Sequence, residues 1–428
     1  MENKGRLNRR LAGMLRARLP EAKLGDVADP RKPRGRRWPL ATLLTAVVVG
    51  MLAGAKSLAA VENLTAEMGR AMARLLGLNR RVPDTTLRSL LCHLDPKELR
   101  RVLVAVVRAA YRRKALAPVD LPFGVVAMDG KGTSLPSCDD LYAQRQTQSE
   151  GKLVGVARTV TCSLISSAAK VCLDASPIPA STNEMGHFAT ALRELLDTYG
   201  SLDLFRLISY DAGACSLENA ALVRANGLHY LFGLKGTQPT LLREAERLLG
   251  ALPATAMVAS TEDIVGGNIV TRRAFLTGEM AGFDGWTHLD TVIRIESETR
   301  TRKGERLTYE NRYYLASLKR ARLSDAQWLR LIRLHWGVEN TCHHTLDTAF
   351  AEDDHPWIES NPQGALATML LRRVALTLLS LFRSVTQRSD ERRGTPWADL
   401  MRGLYNALIG ATAEQLRNLR ARTTAVPV

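Results

Sequence analysis

The period of the apolar positions changes several times along this chain and divides it into regions. From about residue 38 to 118 the pattern is helical throughout. RVPDTTLRSLLCHLDPKELRRVLVAVVRAAYRRK (81–114) holds two helix starts, Asp84 or Thr85 before LRSLL and Asp95 before KELRRVLVAVV. Two short helices with a tight break are compatible with a helix-turn-helix, as they are with any small helical domain. The texture shifts at Pro118. LPFGVVAMDGKG (121–132) is an apolar run ending in Asp129-Gly130, and KLVGVARTVTCSLIS and KVCLDASPIPA then alternate like strands. HFATALRELLDTYG (187–200) reads as a helix, DLFRLISYDAGACS (203–216) as a second apolar run ending in an aspartate, ENAALVRANG as a helix and HYLFGLKG as a strand. A strand meander followed by strands alternating with helices predicts an α/β fold around a mixed sheet. Residues 253–318 turn β-rich again, as an insertion or a small β subdomain. Helices close the chain at 324–350, 365–382 and about 396–420.

Composition narrows the class. The chain has 428 residues, 46% hydrophobic and 24% charged, which suits two or three globular domains and excludes disorder as the main state. The formal charge of +16 points to a polyanionic partner. That charge is concentrated: residues 1–120 hold 25 Lys and Arg against 10 Asp and Glu, leaving the rest near neutral. Residues 1–37 carry 12 basic residues, and DPRKPRGRR (29–37), with Arg34, Arg36 and Arg37, reads either as a solvated tail or as a phosphate-contacting arm. Six scattered cysteines without a C-x-x-C pair speak against a zinc ribbon or disulfide framework and fit a reducing cytosol. The basic N-terminus lacks the apolar run of a signal peptide. The uncharged stretch Trp38–Ala55 is short for a membrane span, so a buried core helix and no membrane partner are expected. No G-x-S-x-G, Walker or G-x-G-x-x-G pattern supports a serine hydrolase, P-loop or Rossmann reading.

Candidate chemistry gathers at three carboxylates. Asp129 and Asp211 each end a buried apolar run, and the carboxyl ends of strands in open α/β sheets are where ligands collect. Either could instead simply begin a turn. In the 324–350 helix, Leu329, Ile332, Trp336, Glu339, His343, Leu346 and Phe350 follow at alternating spacings of three and four, the core-facing stripe of an amphipathic helix. A carboxylate in that stripe needs a cation, either an arginine such as Arg333 or Arg372 or a metal. Three such carboxylates can hold two Mg²⁺ ions for in-line phosphoryl transfer. A competing reading takes His335, Glu339 and His343, one face of the helix, with Asp347, as zinc ligands; the H-E-x-x-H pattern of zinc peptidases is absent.

LHWGVENTCHHTLDTAFAEDDH (334–355) resembles the signature of the H-repeat-associated insertion-sequence DDE transposases, an R-x-H-W-x-[IV]-E-N core followed by L-D-x-x-F-x-E-D. Arg333, His335, Trp336, Glu339, Asn340, Leu346, Asp347, Phe350, Glu352 and Asp353 carry the match. AMDGK (127–131) is similar to the family's first-aspartate motif, SYDAGA (209–214) to its second, and DPRKPRGRRWPLATLLTAVVVGMLAG to its associated N-terminal region. The resemblance spans roughly residues 28–385. It implies an RNase H-like catalytic domain over 119–385, with the β-rich block at about 253–318 as an insertion, preceded by a basic arm (1–37) and a helical DNA-end-binding domain (38–118) and followed by a helical tail (386–428). It implies Asp129, Asp211 and Glu339 as a triad for two Mg²⁺ ions, with Mn²⁺ as substitute. It also implies double-stranded DNA as partner, at terminal repeats and target, and a homodimer when two ends are paired. The setting implied is the bacterial-type cytosol or nucleoid. Lys131, Lys235, Arg272 and Arg333 are candidate phosphate contacts, with His335, Trp336 and Asn340 in support. A transposase-derived protein that binds DNA without cutting it is the alternative. The chain departs from the family where D-G-K-x-x-R becomes Asp129-Gly130-Lys131-Gly132-Thr133-Ser134, where K-S-N-E becomes Ser181-Thr182-Asn183-Glu184, and where L-H-W becomes Cys342-His343-His344.

Overall fold

The computed structural model describes residues 4–136, 140–147 and 151–417. Six helices come first: α1 (Lys4–Arg18), α2 (Leu40–Leu52), α3 (Leu58–Glu67), α4 (Arg70–Leu76), α5 (Asp84–Leu91) and α6 (Pro96–Arg112). Asp95 caps α6 by accepting a hydrogen bond from the Lys97 amide. Of strands β1 (Val125–Pro136), β2 (Ala143–Thr147), β3 (Leu153–Leu164) and β4 (Cys172–Ile178), β3 pairs antiparallel with β1 on one side and with β2 and β4 on the other. Helix α7 (Glu184–Tyr199) then leads into β5 (Leu207–Tyr210), α8 (Leu217–Ala225), β6 (His229–Leu234) and α9 (Pro239–Leu249).

The sheet is mixed, as expected. β1, β5 and β6 run parallel, and β3 lies antiparallel against β1 with β4 beyond it. Three antiparallel strands followed by two parallel ones make this an RNase H-like sheet. The β-rich block supplies β7 (Ala259–Val265), β8 (Asn268–Thr277), β9 (Thr291–Arg300) and β10 (Arg306–Ala316). It is not a separate subdomain: Tyr313–Ala316 of β10 pair with Leu231–Leu234 of β6, so the insertion extends the main sheet.

The two faces of the sheet are covered differently. Val125, Ala127 and Leu207 join an apolar cluster built on Trp328, Leu331 and Ile332 of α10 (Asp325–His335). Val126, Met128, Ile208 and Tyr210 point the other way, into a larger core with Phe188 and Leu192 of α7. That core continues without a break into α2, α5 and α6, and into α12 (Pro362–Leu381), reached after the short α11 (His344–Thr348). Arg100 of α6 forms ion pairs with Asp174 on β4 and Glu194 on α7, which fixes α6 to the sheet. A short α13 (Asp390–Arg393) precedes α14 (Trp397–Gly410), which packs on α1, with Gly403 against Leu7 and Leu11. From residue 418 the expected last helix lies outside the described residues.

Two expectations are corrected and one is met. The basic N-terminal stretch is not an extended arm: Leu11, Leu15, Leu19 and Leu24 are buried, and Arg31 and Arg36 are tied to Asp29. Arg34, Arg36 and Arg37 are nonetheless exposed. The uncharged run at 38–55 contains the 13-residue α2 with ten buried residues, because its apolar side chains complete the helical core. The helical stretch Pro362–Thr386 is the one long and apolar enough to cross a membrane by length and composition among the described residues, and its most apolar window is wholly buried inside the fold. Finally, 324–350 is not one helix. α10 ends at His335, a π-helical turn spans Val338–His343, and α11 follows. Gly337 sits against Ile165, and the Thr341 hydroxyl donates to the Gly337 carbonyl, competing for a group the helix would otherwise use.

Candidate active site

The parallel pairing of β1 and β5 runs Val125↔Leu207, Val126↔Ile208, Ala127↔Ser209, and two residues further along each chain stand Asp129 and Asp211. The two aspartates are therefore level on neighbouring strands, whose backbones lie about 5 Å apart. Side chains alternate between faces, so both fall on the α10 side of the sheet. Asp129-Gly130 does not begin a turn: β1 continues to Pro136, paired with β3. β5 does stop, because Asp211 caps a short 3₁₀ turn, its Oδ1 accepting from the Gly213 amide at 2.8 Å. On Asp129 it is Oδ2 that is engaged, 3.3 Å from His343 Nδ1. Among the described residues, the other oxygen of each carboxylate has no hydrogen-bond partner. Two half-free carboxylates facing one side form an all-oxygen donor pair that suits a hard cation such as Mg²⁺.

Glu339 lies elsewhere than its spacing suggests. The π turn widens the helix locally and interrupts the stripe: Glu339 and Asn340 are exposed, while His343, Leu346 and Phe350 beyond them are buried. Glu339 lies one turn before His343, on the segment that touches Asp129. Among the described residues no three His, Cys, Asp or Glu side chains stand together as a metal cage, and Glu339 is not within such a group. Instead it lines a cleft of about 430 Å³ with Arg272, Arg312, Arg333, Trp336 and Asn340. Arg312 and Trp336 also wall an adjoining cleft of about 590 Å³ that reaches Asp211, Lys235 and His335. The Arg312 guanidinium stacks 4.5 Å from the Trp336 ring, and Trp336 Nε1 donates to the Tyr314 hydroxyl at 3.2 Å. These contacts fasten the end of α10 to the insertion strand β10.

The other expected residues divide. Lys235 is exposed at the end of β6, and Arg272 and Arg333, both part-exposed, share Asp263 at 2.9 and 2.8 Å. Lys131 is not an exposed phosphate contact: it is buried, its ammonium held by Asp347 at 2.7 Å and Asp353 at 3.1 Å. Asp347 is thereby committed to Lys131, which removes it from any zinc set. His335 is buried against Tyr314 and Trp336, with Nδ1 2.5 Å from the Ser209 hydroxyl. Burial lowers its pKa to about 4, so it stays neutral and supports the end of β5. With His335 on Ser209 and His343 on Asp129, the two histidines do not converge on a zinc site.

One carboxylate was recognisable in the sequence only as part of a degenerate motif. Glu184, at the start of α7 on the opposite face, accepts with Oε1 from both the Gly130 amide (2.9 Å) and the Tyr210 hydroxyl (2.6 Å). Burial raises its pKa, and the charges of Asp129 and Asp211 push the same way against the Tyr210 and Gly130 hydrogen bonds. Burial and Glu184 together hold the Tyr210 hydroxyl well above its ordinary pKa, so it remains a donor. Nothing in the spacing of Arg312 marked it in advance.

An RNase H-like sheet with two aspartates level on adjacent parallel strands, beside an arginine-lined cleft, is the frame of a nuclease-type phosphoryl-transfer fold. Residues 123–376 match the transposase DDE domain, and residues 22–107 match the DDE transposase-associated region. The chain belongs to the DDE transposase family. It is similar to a protein of Escherichia coli (strain K12) named "H repeat-associated putative transposase YhhI", 30% identical over 185 residues. That match spans 40% of this chain and 47%, about half, of the relative. It is also similar to "Putative transposase YncI" of Escherichia coli O157:H7, 23% identical over 366 residues, 82% of this chain and 85% of the relative.

Proposed function

We propose that this transposase excises an insertion sequence by metal-dependent phosphodiester hydrolysis and joins the released ends to target DNA. The observation that carries the reading is the level placement of Asp129 and Asp211, each with one carboxylate oxygen free, beside the turn that bears Glu339. These three residues would hold two Mg²⁺ ions, with Mn²⁺ as substitute. The ions would supply charge stabilisation to the attacking and leaving oxygens of an in-line displacement. In the first step a water oxygen bonds to the scissile phosphorus, the bond to the 3′ oxygen breaks, and a 3′-hydroxyl is released. In the second, that hydroxyl attacks a target phosphorus and displaces a new 3′ oxygen.

The protein's part is to place the strand. Arg272, Arg312 and Arg333 offer cations to the phosphates flanking the scissile one, and Lys235 does so on the Asp211 side. His335, Trp336 and Asn340 keep the helix end and its cleft in register with β10. Exposed Arg34, Arg36 and Arg37 belong to the face that meets terminal-repeat DNA. Pairing two ends calls for a homodimer at synapsis, acting at the nucleoid of a bacterial-type cytosol. Strand transfer tests the reading: pre-cut end DNA with a free 3′-hydroxyl should join a target plasmid in Mg²⁺ or Mn²⁺, and Asp211→Asn should abolish joining. Tight end binding by the wild type without joining or cutting in either metal would identify a DNA-binding derivative instead.

A further inference from the structure

Asp129 and Asp211 belong to two strands whose direct pairing stops at Ala127 and Ser209, two residues short of them. Past that point no backbone bond between β1 and β5 fixes how far apart the carboxylates stand. A third element bridges the gap. Glu184 Oε1 accepts one hydrogen bond from the Gly130 amide, next in chain to Asp129, and one from the Tyr210 hydroxyl, next in chain to Asp211. A single carboxylate oxygen thus ties both strand ends together from the face opposite the proposed metal pair. Gly130 supports this independently: a β-carbon there would lie 1.8 Å from Glu184 Oε2, so the glycine admits the carboxylate against the strand. Glu184 is itself anchored as the first residue of α7, whose cap Asn183 accepts from the Gly186 amide at 2.9 Å.

We propose that Glu184 is a positioning residue that sets the separation of Asp129 and Asp211 through its hydrogen bonds to Gly130 and Tyr210. The inference rests on the reading of those aspartates as the metal-binding pair. Outer partners that orient metal ligands typically alter affinity about 10- to 100-fold when removed. The clamp needs an acceptor at Oε1, not a charge. Glu184→Gln keeps that acceptor and Glu184→Ala does not, although both lose the negative charge, so the pair of variants separates clamping from electrostatics.

The test is Mn²⁺ titration of the full-length protein followed by electron paramagnetic resonance, with plasmid cleavage measured across the same metal range. Glu184→Ala should weaken Mn²⁺ binding about 10-fold or more, with cleavage recovering at high metal and the thermal unfolding transition retained. Glu184→Gln should stay within about threefold of wild type, a small fraction of the effect of removing an outer partner. Should Glu184→Ala lose its cooperative transition, Tyr210→Phe, which deletes one of the two hydrogen bonds, carries the same test. The proposal is overturned if Glu184→Gln is as weak as Glu184→Ala, or if Glu184→Ala and Tyr210→Phe bind Mn²⁺ like wild type. Asp129→Asn is the control for the underlying reading. If it retains wild-type Mn²⁺ affinity, the aspartates are not the metal pair, and the clamp has no such ligands to position.

Discussion

Asp129 and Asp211 are held from three sides. His343 takes one oxygen of Asp129, Gly213 one of Asp211, and Glu184 ties the strands that carry them. His335 supports β5 from within the core, and its pKa of about 4 has a consequence for stability. The unfolded chain binds a proton on this imidazole below about pH 6.5, whereas the folded chain binds it only near pH 4. Stability should therefore fall as pH drops from about 6.5 to 4, by up to about 3 kcal/mol from this group. In His335→Gln, urea midpoints at pH 7 and pH 4.5 should differ less than in the wild type. Parallel losses in the two proteins would show that His335 is not the group responsible. The aspartates were legible in the sequence because each ends a buried apolar run. The argument that placed Glu339 in the core failed, because spacings of three and four assume an unbroken 3.6-residue repeat and the π turn at Val338–His343 interrupts it. Glu184 was harder to see because the feature that matters is its contact across the sheet.

Two motifs distant in sequence turn out to be halves of one ion-pair cluster between elements. Lys131, two residues after Asp129 on β1, meets Asp347 on α11 and Asp353 beyond it, while Glu352 meets Arg373 on α12 with both side chains fully buried. Arg373 Nη1 also donates to the Met369 carbonyl, so the guanidinium is fixed within its own helix. Removing one member leaves a buried charge uncompensated, at about 3–5 kcal/mol, whereas replacing both by apolar residues can cost far less. Glu352→Ala should therefore lower stability by about that amount in denaturant unfolding. The double variant Glu352→Met, Arg373→Leu should recover much of the loss. If the double variant is worse than the sum of the two single changes, the pair contributes more than it costs to bury. The sequence placed most strands, helices α7, α8 and α12, and the β-rich insertion, since each keeps a clear period, but it ran α10, the π turn and α11 together as one helix and missed α9 and β2. It did not show that β10 joins β6, which depends on pairing between segments far apart in the chain.

At the scale of the whole molecule, charge and packing point to different experiments. The N-terminal helices share one apolar core with α12 and the sheet, and Arg100 ties α6 to β4 and α7. Deleting residues 1–118 would expose that core, so loss of end binding in such a truncation would say nothing about recognition. Charge removal in the intact chain is the cleaner perturbation. Each lysine or arginine that neutralises a phosphate contributes about 0.9 to the slope of log affinity against log salt. Arg34→Gln, Arg36→Gln and Arg37→Gln together should reduce that slope by up to about three for terminal-repeat DNA, while leaving the melting temperature in place. An unchanged slope would remove this face from the DNA interface. The measurement that bears most directly on the account is strand cleavage of a supercoiled plasmid carrying the DNA that flanks this gene, in Mg²⁺ or Mn²⁺, by wild type and Glu339→Gln. Nicks should map to the element's ends, depend on the metal, and vanish in the variant. Cleavage that persists in Glu339→Gln would contradict the account, because the third carboxylate would then have to be another residue.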